Sequence, residues 1–233
     1  MLDSKFLAVG LEQGSGGAVL VHSFGIPGCV ALGATAQEAL DAYATAFSEW
    51  LNFREAVGMP IPPREMELEI AVDEWVQSDA EVARGESDVC FERDLAPLED
   101  REINEGLYAL GDLRGRLLRA LREVPRAEFD TRTVGALTLR RILDELARAQ
   151  WWTLTRLGAS PLAEVPEQLV ARLDTAMALV VQQFTGLARA ERDRVIEIDG
   201  EVWTPRKVLR RLLWVEWSLG RSALIALHEE VPG

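Results

Sequence analysis

The first sixty residues are built from short apolar runs separated by glycine-rich breaks. Residues 6–11 and 18–24 are β-prone and flank Gln13-Gly14-Ser15-Gly16-Gly17, the pattern of a hairpin with a loose glycine turn. Gly25-Ile26-Pro27-Gly28 predicts a second turn, and Cys29-Val30-Ala31-Leu32-Gly33 a third short strand. The apolar period then lengthens to that of a helix, with Ala39, Leu40, Tyr43, Phe47, Trp50 and Leu51 on one face. Thr35 and Glu38 form a capping box at its start. Met59-Pro60-Ile61-Pro62-Pro63 ends it, because proline cannot continue a helix. Residues 66–72 alternate apolar and acidic, so they predict a strand with one wet face that completes the sheet.

Beyond Pro97 the period is helical almost throughout. Residues 98–123 place Ile103, Leu107, Leu110, Leu113, Leu117 and Leu121 on one stripe. After a loop around Pro125, a second helix is expected over 134–157 and a third over 166–189. Residues 195–203 read as an extended excursion with an Asp199-Gly200 turn. Thr204-Pro205 then supplies an N-cap and a proline at the first position of a fourth helix, which runs to about 227. The expected fold is therefore α+β: a small βββαβ domain over residues 1–76, a four-helix bundle over 96–233, and between them residues 77–95. That stretch reads as an acidic linker, with one more short strand possible at Val89-Cys90-Phe91.

Charge narrows the function. The net charge of −13 repels phosphate backbones, so nucleic acid is not an expected partner. Arg206, Lys207, Arg210 and Arg211 form the one basic cluster of note, and they read as a solvated helix face. Nothing approaches the apolar length of a membrane span, and no export signal is seen at the N-terminus. Cys29 and Cys90 make no CxxC pair, and a cytoplasmic location is expected. Cys29 has no basic neighbour, and His22 has no carboxylate partner at nucleophile spacing, so both read as structural.

The run Gly25-Ile26-Pro27-Gly28-Cys29 through Gly33, Thr35 and Glu38-Ala39-Leu40, followed by Trp50-Leu51 and Ile61-Pro62-Pro63, resembles the HicB-like antitoxin domain over about the first seventy residues. That family's fold is related to double-stranded-RNA-binding and partial RNase-H-like architectures, and its members bind and block a small ribonuclease toxin. DNA binding in the family comes from a segment after the domain. Here the bundle takes that place, so operator binding does not carry over.

The C-terminal part resembles the DinB-like, or damage-inducible, bundle over about 130 residues. The resemblance rests on residues 141–152, on Gly200-Glu201-Val202-Trp203-Thr204-Pro205, and on Glu216-Trp217. It implies an up-down-down-up four-helix bundle within a superfamily of metal-dependent hydrolases. The family holds a divalent ion on three histidines, one on the second helix and a pair at i, i+4 on the fourth. The matching positions here are Glu145, Val215 and Leu219, and the chain's only histidines are His22 and His228.

The metal site is thus expected to be lost and no cofactor is expected, with zinc or nickel as the alternative. Glu145 and Glu216 are each expected to pair with an arginine, Arg141 or Arg148 for the first and Arg211 for the second. With Trp151 they line a candidate pocket, although Trp151, Trp152, Trp203, Trp214 and Trp217 read first as core or dimer anchors. The expected function is a non-catalytic interaction protein with a protein partner or a second copy of itself, as a homodimer. The alternatives are a metal-dependent thiol transferase or hydrolase, and an antitoxin-type regulator of a small ribonuclease toxin.

Overall fold

Two units, described separately below, make up the chain. The first runs to Ala96 and also takes in Glu197–Trp203; the second runs from Pro97 to Ile196 and resumes at Thr204. A computed structural model describes residues 6–63, 69–158 and 165–228.

In the first unit β1 (Phe6–Gln13), β2 (Val19–Ser23), β3 (Val30–Gly33) and β4 (Glu69–Gln77) form one sheet in the order β3-β2-β1-β4. β1 runs antiparallel to β2 and parallel to β4. Residues 66–68 of the expected last strand lie outside the described residues. β4 continues to Gln77, five residues beyond the expected end. Its register against β1 slips once: Val9 faces Val72 and Gly10 faces Glu74, which leaves Asp73 as the extra residue of a bulge.

The helix α1 (Ala36–Ala56) connects β3 to β4 and packs on β2 and β3. Thr35 caps the helix as expected, its Oγ1 accepting from the Glu38 N–H, but the Glu38 carboxylate accepts from the N–H of Ala34 and not of Thr35, so only half of the expected capping box forms. Ala39, Tyr43, Phe47, Trp50 and Phe53 make its buried stripe, whereas Leu40 and Leu51 are only half-buried.

Residues 77–95 are not a loose linker. The second face of the sheet carries apolar surface that needs a cover, and this stretch supplies it with Val82, Val89 and Phe91, all buried. A Cβ at Gly10 would lie 2.6 Å from the Phe91 ring, and one at Gly14 2.7 Å from Val82. Residues 89–91 form no strand, because their N–H groups go to side-chain carboxylates: Val89 donates to Glu12 and Phe91 to Asp94. Short 3₁₀ turns at Val82–Arg84 and Glu92–Leu95 complete the cover.

The second unit contains α2 (Asp100–Arg122), α3 (Leu139–Thr155), α4 (Leu169–Thr185) and a fourth helical stretch in three parts. That stretch is α5 (Pro205–Val215), a π turn over Glu216–Gly220, and α6 (Arg221–Ala226). Leu117, Leu121, Leu143, Leu146, Leu173 and Leu224 lie in its core. α3 starts five residues later than expected. Residues 134–138 instead belong to a small hairpin of β5 (Thr133–Val134) and β6 (Leu137–Thr138), where Gly135 takes a φ of +56° and Thr138 becomes the N-cap. The excursion before α5 is the expected one: β7 (Ile196–Ile198) and β8 (Glu201–Trp203) flank Asp199 and Gly200, both at positive φ.

The basic cluster at the start of α5 is not a solvated face. Lys207 and Arg210 are buried, and Arg206 pairs with Glu102 while donating to the Pro97 carbonyl. Among the described residues no helix is long and apolar enough to cross a membrane.

Gly33 marks the tightest approach in the first unit, since a Cβ there would lie 2.2 Å from the Ala39 backbone nitrogen. Backbone at the start of α1 cannot yield as a side chain would. Gly33→Ala is therefore expected to cost about 3 kcal/mol in urea unfolding, at the upper end of overpacking effects.

Candidate functional site

α2 carries an arginine on its apolar stripe. Arg114 lies one turn from Leu110 and from Leu117, so the helix delivers a guanidinium into the middle of the bundle. It is 2% exposed, and every element around it offers an oxygen. Nε donates to Glu216 Oε1 at 3.1 Å and Nη2 to Glu216 Oε2 at 2.7 Å, a two-point pairing of guanidinium and carboxylate. Nη2 also donates to Gln150 Oε1 at 2.8 Å, and Nη1 donates to the Leu173 carbonyl on α4. Gln150 on α3 closes the ring by donating through Nε2 to Glu216 Oε2 at 2.5 Å. Gln150 and Glu216 are wholly buried.

Glu216 opens the π turn, and Gly220 sits beside its carboxylate, where a Cβ would stand 3.5 Å from Oε1. A Cβ at that distance would make only ordinary contact, so it is the wider turn that sets the carboxylate inside the bundle. Such turns concentrate at functional positions in helices.

The residues singled out from sequence are dispersed around this centre. Glu216 belongs to it, but its partner is Arg114 and not Arg211, whose guanidinium lies over Trp152 at 5.2 Å. Glu145 pairs with Arg148 as expected, on an exposed part of α3. It lines an open groove of about 230 Å³ with Thr138, Arg140, Arg141, Asp144 and Arg148. Val215 and Leu219 are half-buried and pack against the aliphatic core. Trp151 is half-buried and forms no hydrogen-bonded pocket with Glu145 or Glu216. Of Trp152, Trp203, Trp214 and Trp217, Trp203 and Trp217 are buried. Among the described residues no three of His, Cys, Asp and Glu converge.

Sequence reasoning missed Arg114 and Gln150, although both stand at core positions of apolar stripes: Leu110, Arg114, Leu117 on α2, and Leu143, Leu146, Gln150, Leu154 on α3. Polar residues at such places are the detectable signal.

The first unit holds a second buried polar cluster. His22 is not without a carboxylate: the hairpin register sets it diagonal to Glu12, and Nε2 lies 3.0 Å from Oε2. Both are wholly buried. Glu12 Oε1 accepts from the Asp88 and Val89 N–H groups at 3.1 and 3.3 Å, and Phe91 sits edge-on to the imidazole at 5.4 Å. Burial pushes the Glu12 carboxyl up, but the hydrogen bond and charge of His22, with help from Ser87 and Ser78, hold it down at about 2. Cys29 is buried and its thiol is pushed up by that burial, which makes it inert.

Two outcomes follow from these clusters. Arg114→Met is expected to cost about 3 to 5 kcal/mol in urea unfolding, because it strands a buried carboxylate, and Arg114→Met with Glu216→Leu is expected to recover most of that loss. Glu12 has a folded pKa below its unfolded value, so its contribution is complete above about pH 4.5 and fades as pH falls toward 2. The stability gap between the natural chain and Glu12→Gln is expected to shrink by about 3 kcal/mol between pH 5 and pH 2.

Compared with known protein families, with characterised proteins and with solved structures, the chain shows no significant match to any.

Proposed function

We propose that the chain is a non-catalytic two-domain binding protein. A HicB-like front domain holds a protein partner or a second copy of the chain, and it is joined to a DinB-like bundle with a degenerate metal centre. The observation that carries this reading is the Arg114 guanidinium at the middle of the bundle. The positions matching the family's three ligands offer a carboxylate bound to Arg148 at Glu145, and two aliphatic side chains at Val215 and Leu219.

The carboxylate that does reach the centre, Glu216, has both oxygens engaged by Arg114 and Gln150. These residues do not fit a divalent ion. It would lie against a fixed positive charge and would have to displace buried hydrogen bonds. A bundle that supplies its own internal cation has no open coordination position with which to activate a thiol or water. The HicB-like reading is supported by the β-β-β-α-β order, by a last strand parallel to the first, and by the turn at Gly28, where φ is +104°.

Elemental analysis tests the proposal. The full chain, incubated with zinc or nickel and then desalted, is expected to retain clearly substoichiometric metal. A stoichiometric ion would overturn it in favour of a metal-dependent transferase or hydrolase.

A further inference from the structure

The buried clusters are closed to partners, and the binding feature of the first unit lies on its outer surface. β4 is the last strand in the sheet order, and among the described residues no strand pairs with its outer edge. Native edge strands are protected by charged side chains, lysine above all, or by proline, bulges, shortness or cover. β4 is nine residues long and contains neither lysine nor proline; its charges, Glu69, Asp73 and Glu74, are all acidic, it bulges at Asp73, and the turn at Glu92-Arg93 is held to the side chains of Asp73 and Glu74. It exposes Ile70 at 38%, Val72 at 45% and Trp75 at 55%. The register puts these three beside Leu7, Val9 and Leu11, on a single face of the sheet.

Charge indicates what covers this strip. Residues up to Ala96 contain seventeen acidic against five basic side chains, while the rest of the chain contains twenty-one against twenty. Nearly all of the net −13 therefore lies in residues up to Ala96, and Glu197, Asp199 and Glu201 add further to the acidity of the first unit. The three arginines described there are engaged within it: Arg54 with the Pro60 carbonyl, Arg84 with Glu81, and Arg93 with Asp73. A second copy pairing through β4 would bring two strongly acidic units together. A cationic partner relieves that charge instead.

We propose that β4 accepts an extended, lysine- or arginine-rich segment of another protein as a fifth strand. Alternate apolar side chains of that segment lie over Ile70, Val72 and Trp75, and its cations face the acidic unit. The proposal rests on the binding-protein reading but has its own readout, which is independent of metal content.

The test uses the full chain and three labelled nine-residue peptides, followed by fluorescence anisotropy: alternating Lys-Val, alternating Glu-Val, and the Lys-Val sequence interrupted by two prolines. The Lys-Val peptide is expected to bind, the Glu-Val peptide not to bind, and the proline version to bind about tenfold more weakly or worse, since proline cannot complete a ladder. Val72→Lys is expected to weaken Lys-Val binding by a similar factor. Glu86→Lys, an exposed position on the cover, makes a change of at least equal charge away from the edge and is expected to have little effect. Unchanged thermal unfolding of both variants shows that each is folded. Equal binding of the proline peptide, equal loss in the two variants, or no binding of Lys-Val would each overturn the proposal. So would a dimer, seen by light scattering, that Val72→Lys dissolves, because the occupant would then be a second copy.

Discussion

The second unit depends on one guanidinium. Four helical stretches meet at Arg114, which gives hydrogen bonds to a side chain on α3, to a backbone carbonyl on α4 and to a carboxylate at the π turn. Leucine packing is tolerant of small slides along a helix axis. A planar fork of donors with fixed acceptors is not, so Arg114 sets the register that the surrounding leucines then fill. Burying a charge pair contributes little net stability compared with apolar packing of similar volume, but it makes alternative arrangements costly. The centre of this bundle is thus better suited to fixing one structure than to admitting a ligand.

The first unit solves a different problem with the same kind of device. A single helix covers the β2 and β3 side of one face of its sheet, and the other face is covered by a stretch whose composition is that of a solvated spacer. Only a few apolar residues there do the covering. Glu12 binds the backbone of Asp88 and Val89 and so fixes where the cover lands, while the open space above Gly10 receives Phe91.

Much of this architecture was legible from periodicity and punctuation. The strands of the front sheet, the N-cap at Thr35, the Asp199-Gly200 turn and the proline-led start of α5 are local features, and local rules found them. What escaped is non-local. The acidic stretch looks like a linker because most of its residues are charged, and nothing near it in sequence reveals that Val82, Val89 and Phe91 face a sheet. Glu12 and His22 meet through hairpin register, and Arg114, Gln150 and Glu216 through bundle packing, with up to 102 positions between partners. Glu145 and Glu216 look alike in sequence, yet only the second points inward. The hairpin at 133–138 was hidden because its few residues also suit the first turn of a helix.

The π turn has a bearing on how any sequence related to this one is read. Helical spacing normally predicts which side chains share a face, and the prediction accumulates along the helix. Between Val215 and Arg221 the chain uses one residue more than an α-helix would for the same advance, a phase change of about 100° for everything that follows. Ala223, Leu224 and Leu227, beyond the turn, lie in the core. A homologue lacking one residue in this stretch would regain an unbroken α-helix and bring a different set of side chains to the centre. The set of side chains that meets at the centre can therefore change through a single insertion, with little change in residue types.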